Sequence, residues 1–347
     1  MPHNALAIAF PLAGTKAGRA VATALIALAV FGLLLAAAGK DPFRAYLDTL
    51  AYVFGNTYGF SELLVRMVPL MLTATAVALP ARIGLINVGG EGQLYMGALF
   101  ATGGAIAFPE QPSFVLLPLI TLLGFIGGGL WALLPGLLRA ARLVNETIST
   151  LLLNYVAPLI VSYLIFGPWR SAESAAYPES TAFSDAARLP VFFHTRIHAG
   201  LLFAIVCLAL FWFFMAKSRW GLEMRAIGGN PEAARRLGIP VFRYTVAVMA
   251  IAGGIAGLAG MSEVSAIQGR LVMGLSPGYG FAGFLVAWLA GTSAWGIAFM
   301  SFLFAIIASA GDILQFTQGV PYAVINVLMA IVLFIVLSQR QSSRAPR

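Results

Sequence analysis

Apolar runs of roughly membrane-spanning length follow one another along this chain, separated by short polar connections. About twenty consecutive apolar residues are enough for a helix to cross the hydrocarbon core of a bilayer. The predicted spans are 21–38, 63–79, 83–108, 114–138, 148–166, 199–216, 244–260, 271–290, 296–310 and 321–337. The pattern predicts an all-α polytopic membrane protein with about ten transmembrane helices, forming a single transmembrane domain over residues 1–347.

Composition supports the same class. Of the 347 residues, 60% are hydrophobic and only 10% are charged, and the mean hydropathy is +0.90. Soluble domains are about half apolar and a quarter charged. The net charge of +8 comes from cations in short loops rather than along one face, so no nucleic-acid partner is predicted. The lone Cys207 lies in an apolar run, which excludes a disulfide framework.

The loop cations give an orientation. In a ten-span arrangement, the basic positions at 16–19, 82, 139–142, 217–243 and 340–347 all lie on one side. Short loops rich in Lys and Arg face the cytoplasm. We therefore expect both termini to be cytoplasmic and the protein to lie in the plasma membrane, as in a bacterial inner membrane. The long external connection, 167–198, is too polar for lipid and is predicted to be a lid or docking surface, with an unstructured loop as the alternative.

The most polar stretch is 217–243, KSRWGLEMRAIGGNPEAARRLGIPVFR. Asn230 suits a helix N-cap, Pro231 suits the first helical position, and Gly238 can end the helix. Residues 221–227 predict a preceding short helix, which the two glycines at 228–229 would break. We expect two short surface helices joined by a glycine elbow. Helices this short are marginal alone, so they need a partner, although an ordinary cytoplasmic loop is the alternative.

Polar residues also occur inside the predicted third and fifth spans. The third begins IGLINVGGEGQLYMGALFATGGA, where Glu91 would cost at least about 2.5 kcal/mol at mid-membrane and should face protein or water. The glycines there permit close helix packing or a broken helix that lines a cavity. The fifth reads NETISTLLLNYVAPL, and its Asn154 and Tyr155 suit hydrogen bonds either to a polar solute or between helices. Arg66 either pairs with Glu91 or extends to the external surface.

Two glycine-rich stretches follow the polar segment. AGGIAGLAG contains Gly253-x-x-x-Gly257, which predicts a helix-contact face. GLSPGYGFAGFLVAWLAGTSAWGI contains short apolar pieces interrupted by glycine, a pattern typical of translocation cores.

Three motifs together resemble the permease subunits of ATP-binding-cassette (ABC) importers of the branched-chain amino acid, simple sugar and nucleoside group. They are RAIGGNPEAARRLGI, GLINVGGEGQ and NETISTLLLNY; the block GFLVAWLAGTSAWG is a looser match. The resemblance implies a coupling helix that docks on a separate ATPase. Its residues here are Gly221, Arg225, Gly229, Asn230, Glu232, Ala233, Ala234, Arg235, Leu237 and Gly238. The substrate path is expected to include Asn87, Glu91, Gln93, Asn154 and Tyr155.

The resemblance also implies the partners. These are a second permease subunit, identical or related, ABC-type ATPase subunits, and an external substrate-binding protein or lipoprotein, with membrane lipid around the spans. The sequence NVGGEGQLYMGA most resembles the nucleoside and simple-sugar permeases, which implies a nucleoside or simple sugar as the solute. A branched-chain amino acid is the alternative within the family. An ion-gradient-driven transporter that uses Glu91 as its ion site is the alternative from another class.

The sequence gives no sign of an enzyme. It lacks a GxxxxGK[ST] phosphate-binding loop, so ATP hydrolysis by that route would require a partner chain. His3, His194 and His198 lack metal-ligand spacing. No cofactor and no metal site are predicted.

Overall fold

The structure is a computed structural model that describes residues 28–33, 35–37, 39–172 and 177–319, and residues 324 and 327. Within these ranges the regular elements are helices, and strand-like pairing is limited to isolated bridges. The predicted all-α class is confirmed. Much of the predicted first span and nearly all of the predicted last span lie outside the described residues.

Helical residues occur over Leu28–Ala37, and eleven α-helices follow in the described ranges, besides a 3-10 turn at Asp185–Ala187. They are α1 Pro42–Gly55, α2 Thr57–Ala81, α3 Gly90–Ala107, α4 Ser113–Ala140, α5 Glu146–Phe166, α6 Gly200–Lys217, α7 Arg219–Gly229, α8 Pro231–Arg236, α9 Val241–Ser262, α10 Tyr279–Leu289 and α11 Ala294–Gln318.

Six of the described helices are long and apolar enough to cross a membrane. They are α2, α4, α5, α6, α9 with its continuation to Gln268, and α11. The predicted span 271–290 begins too early, because α10 starts only at Tyr279. Three glycines before or at its start, Gly269, Gly274 and Gly278, have positive φ angles of 66°, 67° and 102°, which interrupt regular helix.

Helix α1 was not predicted. Asp41 caps it by accepting hydrogen bonds from the Phe43 and Arg44 amides, at 2.9 and 3.1 Å, and Pro42 occupies its first turn. This cap-then-proline signal is the one that predicts the helix at 230–231. Helix α1 was not predicted because the spans were predicted from apolar runs of about twenty residues, and α1 is too short to span a bilayer.

The described residues fall into two compact units. The first contains residues up to Phe60 and from Ile306. In it the Tyr46 hydroxyl donates to the Leu28 carbonyl at 2.6 Å, and the Gln318 amide donates to the Asp41 carbonyl at 3.3 Å. The second unit, Ser61–Ala305, carries the motifs discussed above.

Glycines allow α3, α4 and α9 to cross in backbone contact at the centre of the second unit. A Cβ atom added to Gly97 of α3 would lie 2.2 Å from the Cα of Gly257 in α9. One added to Gly128 of α4 would lie 2.2 Å from the Gly253 carbonyl oxygen. Separations this short leave no room for a side chain. The helix-contact face predicted at Gly253 and Gly257 is therefore confirmed.

Helix α9 continues into a π-helical turn, Glu263–Gln268. The long connection 167–198 is hydrogen-bonded to the residues that follow this turn. The Ser180 amide donates to the Leu271 carbonyl at 2.9 Å, and the Phe183 amide donates to the Gly269 carbonyl at 2.8 Å. An unstructured loop does not describe these residues.

Charged side chains also hold this connection. Arg196 forms an ion pair with Glu62 of α2 at 2.6 Å. Both charges, and that of Arg66, lie within electrostatic range of the buried Glu263. The structure thus places Arg66 within electrostatic range of Glu263.

Candidate functional site

The chain between α2 and α3 leaves helical geometry over residues 85–88, and we call residues 85–89 the break. The predicted span 83–108 is therefore not one helix, because α3 begins only at Gly90. Inside a membrane protein, backbone groups released from a helix must find other partners. The side chains that supply them define the candidate site.

One face of α5 supplies most of these partners. Glu146, Thr150 and Asn154 follow one another at four-residue intervals, so they line up along the helix. The Glu146 carboxylate accepts from the Ile86 amide at 3.2 Å, and the Thr150 hydroxyl accepts from the Val88 amide at 3.3 Å. This row of α5 side chains therefore replaces the missing helical hydrogen bonds of the break.

Asn154 extends the row into α3. Its side-chain oxygen accepts from the Gly92 amide at 2.8 Å, and its NH2 group donates to the Val88 carbonyl at 2.8 Å. The first bond satisfies an amide in the first turn of α3, where helix amides lack internal partners. Below the row, Arg139 of α4 pairs with the buried Glu146 at 2.9 Å and balances its charge.

Asn87 of the break and Gln93 of α3 form a reciprocal amide pair. The Asn87 NH2 group donates to the Gln93 side-chain oxygen at 3.1 Å, and the Gln93 NH2 group donates back at 2.9 Å. Asn87 also accepts from the Gly89 amide at 3.0 Å. Both side chains are buried, and satisfied buried amides fix a single backbone geometry.

Glu91 connects the start of α3 to the start of α10. Its carboxylate accepts from the Gly280 amide at 2.7 Å and also hydrogen-bonds with the Ser276 side chain. The two helices meet closely, because a Cβ atom on Gly280 would lie 2.0 Å from the Glu91 nitrogen. On the α2 side, the Thr73 hydroxyl lies 3.1 Å from the Tyr279 carbonyl. The Glu91 carboxylate thus joins the first turn of α3, directly after the break, to the start of α10.

The structure brings together four of the five residues predicted for the substrate path. Asn87, Glu91, Gln93 and Asn154 are buried around the break, whereas Tyr155 is 65% exposed on another face of α5. Their contacts within the chain favour the helix-joining interpretation of the motif. Direct contact with solute stays a prediction for all five.

Sequence reasoning missed Glu146, Thr150 and Gly280 as parts of this site. The four-residue spacing of Glu146 and Thr150 with Asn154 is visible in the sequence and could have identified the first two. For Gly280, the clue was only its place among other glycines.

The polar segment 217–243 forms the two predicted short helices, α7 and α8. Asn230 caps α8 by accepting from the Glu232 and Ala233 amides, both at 3.0 Å. Gly238 ends this region with a φ angle of 81°. Glu232 pairs with Arg235 at 2.9 Å, as its spacing allows.

The glycine elbow is wrong. Gly228 and Gly229 both lie within α7, and the chain turns at Asn230, whose φ and ψ angles of −154° and 101° are extended. Gly228 has a different role, because a Cβ atom there would lie 2.4 Å from the Arg82 carbonyl oxygen. The end of α7 therefore packs directly on the turn that leads into the break.

Other contacts fasten α7 to the membrane helices. A Cβ atom on Gly221 would lie 2.4 Å from the Phe214 carbonyl oxygen of α6. Glu223 accepts hydrogen bonds from the Tyr244 hydroxyl of α9 and from Arg219, and these bonds lower the pKa of the Glu223 carboxyl. Trp220 stacks on the Tyr244 ring with centroids 6.1 Å apart.

The outer surface of α8 carries apolar and charged side chains. Ala234 is only 1% exposed, whereas Leu237 is 79% exposed. Ala233, Glu232 and Arg235 are also exposed. A small buried contact under a capped helix, with a large apolar residue facing outward, suits a segment that receives another protein.

A helical membrane bundle that holds a non-helical break through side-chain hydrogen bonds, next to a pair of surface helices packed on it, suits a membrane transport subunit. The chain belongs to the family described as branched-chain amino acid transport system / permease component, whose model matches residues 59–337. It is a multi-pass membrane permease subunit of an ABC importer. It is not an enzyme, since ATP is hydrolysed by a separate chain.

Individual relatives agree with this class. The chain is 37% identical over 334 residues to the glucose ABC transporter permease protein TsgB13 of Haloferax volcanii, covering 93% of this chain and 87% of the relative. It is 31% identical over 317 residues to the guanosine ABC transporter permease protein NupP of Bacillus subtilis, covering 90% and 91%. It is 29% identical over 332 residues to the nucleoside ABC transporter permease protein NupB of Lactococcus lactis, covering 92% and 91%.

Proposed function

We propose that this chain forms half of the translocation path for a nucleoside or a simple sugar. The names of its relatives support this solute class, because they include permeases for glucose, guanosine and nucleosides. We further propose about ten transmembrane helices with both termini in the cytoplasm, as the loop cations indicate. The second half would be an identical or related permease, and residues 1–347 would act as one transmembrane domain.

The observation that carries the mechanism is the contact of Gly228 with the Arg82 carbonyl. In the proposal, an ATPase subunit docks on residues 217–243 and moves α8 with α7. Because α7 packs on the turn at Arg82, its displacement acts on the break three residues later. The hydrogen bonds from α5 and the Glu91–Gly280 contact would then be rearranged to open the path on one face or the other.

The connection 167–198 is proposed to receive a solute-loaded binding protein on the outside. Its support is the attachment of this connection to α2 and to the turn after α9, through Arg196–Glu62 and the Phe183–Gly269 hydrogen bond. When a partner protein binds a segment that is held rigidly in this way, the resulting displacement is transmitted to the helices to which the segment is attached. Asn87, Glu91, Gln93, Asn154 and Tyr155 remain the proposed residues of the path.

Leu237→Asp tests the docking part of the proposal. Leu237 is 79% exposed, so the substitution leaves folding intact but places a charge where the ATPase would pack. We expect uptake of labelled solute by cells carrying the complete importer to fall at least about tenfold, as for an interface residue worth over 1.4 kcal/mol. Leu143→Asp is the control, since Leu143 is 72% exposed in the short loop after α4.

Uptake should be measured with guanosine, glucose and leucine, and membrane insertion should be checked for each variant. Loss of uptake in Leu237→Asp with normal insertion, and normal uptake in Leu143→Asp, is the expected result. Equal uptake in both variants would contradict docking at α8. Uptake of leucine without guanosine or glucose would contradict the proposed solute class.

A further inference from the structure

We propose that the second unit contains a binding site for the headgroup of an anionic phospholipid. A cavity of about 310 Å³ lies where the turn after α2, the last turns of α6, helix α7 and the start of α11 meet. Ligand cavities commonly begin at about 300 Å³. Its lining includes two guanidinium groups, Arg82 and Arg225, beside aromatic rings.

The two arginines leave positive charge unbalanced in this cavity. Arg82 donates to the Thr292 carbonyl, and Arg225 donates to the Met215 carbonyl at the end of α6. Carbonyl groups satisfy individual donors but do not neutralise a guanidinium, and each guanidinium has further N–H groups. Among the described residues that line the cavity, none is acidic.

Burial increases the cost of this arrangement. The Nε atom of Arg82 is buried and has no hydrogen-bond partner in the described part of the chain. Desolvation, together with the nearby Arg225 charge, lowers the pKa of the Arg82 side chain. The Phe211 ring lies 5.5 Å below the Arg82 guanidinium carbon and offsets only part of the charge. An anion between the two arginines would satisfy both groups, and Arg pairs well with phosphate.

The surroundings of the cavity favour a lipid as the source of that anion. Trp212 and Trp295 line its rim, and Trp295 is 82% exposed. Tryptophan collects at the headgroup level of membranes, where an apolar ring body meets water. Helix α6, which forms one wall, is a candidate membrane span with an outer surface of exposed residues such as Leu210 and Phe213. An acyl chain could lie along this surface.

The orientation proposed above places this cavity at the cytoplasmic leaflet, since Arg82 and Arg225 belong to the loops that carry the basic residues. That leaflet is rich in anionic lipid, and basic pockets between helices bind such headgroups. Because α7 also carries the Gly228 contact with Arg82, a lipid bound here would brace α7 against the turn before the break. The inference concerns binding and holds whichever solute the importer carries.

The test is lipid retention by the purified full-length chain, measured by native mass spectrometry after exchange into mixed micelles. The probes are phosphatidylglycerol, phosphatidylcholine and the soluble headgroup analogue glycerol 3-phosphate. We expect preferential retention of phosphatidylglycerol, weakened about fivefold by Arg82→Gln and again by Arg225→Gln, as for one cation at a membrane surface. Arg243→Gln, which removes an exposed cation at the start of α9, should retain it fully.

Arg82→Lys and Arg225→Lys control for folding, because they keep the charge and should keep most of the retention. Equal retention of the two lipids, or equal loss in Arg243→Gln, would overturn the proposal. Retention of glycerol 3-phosphate as strong as that of the lipid would show a free-phosphate site instead.

Discussion

Replacing Gly228 by alanine is the sharpest test of the link between the docking segment and the break. The new Cβ atom would lie 2.4 Å from the Arg82 carbonyl oxygen and 3.5 Å from the Ile83 Cα atom. A carbon needs about 3.3 Å from a carbonyl oxygen, so the two segments must separate by nearly 1 Å. Both neighbours are backbone atoms, which cannot move aside as a flexible side chain can.

The adjacent glycine provides the matched control. Gly229 lies in the same helix, and a Cβ atom there would meet nothing within 4 Å. Both substitutions gain about 1 kcal/mol of helix propensity. Overpacking costs about 1–3 kcal/mol, and only at Gly228. Because the propensity gain cancels between the two variants, Gly228→Ala should be about 1–3 kcal/mol less stable than Gly229→Ala.

The assay is thermal unfolding of the detergent-purified chain, followed by tryptophan fluorescence. Gly228→Ala should unfold at least roughly 2 °C below Gly229→Ala. In the assembled importer, Gly228→Ala should also lower the amount of solute carried per ATP hydrolysed. Equal melting temperatures of the two variants, together with transport by Gly228→Ala equal to that of the unsubstituted importer, would refute the idea that this contact joins α7 to the break.

Three further predictions follow from other contacts. Asn154→Leu leaves the buried Gly92 amide and the part-buried Val88 carbonyl without their side-chain partners and should destabilise the protein by about 1–3 kcal/mol in denaturant unfolding, whereas a purely solute-binding role predicts altered specificity at unchanged stability. Asn230→Ala should cost about 1 kcal/mol and speed amide exchange in α8, and Asn230→Ser should restore protection. Burial and the nearby Arg196 lower the pKa of His198 to about 4, below the usual 6.5. Between pH 6.5 and pH 4, His198 is protonated in the unfolded chain but neutral in the folded chain. The free energy of unfolding should therefore be highest above pH 6.5 and fall by up to about 3 kcal/mol as pH approaches 4. His198→Asn should remove this pH dependence.

Helix caps, helix ends and small-residue contact faces were largely predicted, because they depend on residues that are close together in the sequence. The cap at Asn230, the proline after it and the glycine at 238 each act within a few residues, so the sequence predicted α8 closely. The small residues at Gly253 and Gly257 predicted a contact face because close packing needs the same residue type wherever the partner helix lies.

What could not be predicted depends on partners far away in the chain. Asn154 was identified, but nothing in its neighbourhood shows that it binds the backbone of residues 88 and 92. The intrinsic tendency of glycine predicts a helix break at Gly228, but Gly228 lies inside α7, where it packs on the Arg82 carbonyl. Helix α1 was not predicted because its 14 residues are too few to cross a bilayer and so do not form an apolar run of spanning length.

The crossing of α3, α4 and α9 has a consequence for how the importer can evolve. With main chains touching at Gly97, Gly257 and Gly128, a methyl group gained by any one helix cannot be accommodated by trimming a neighbour that is already bare. We therefore expect the glycines of this junction to tolerate no larger residue, whatever solute the importer carries. The three helices form a fixed centre, and changes in solute selectivity are expected at residues around it.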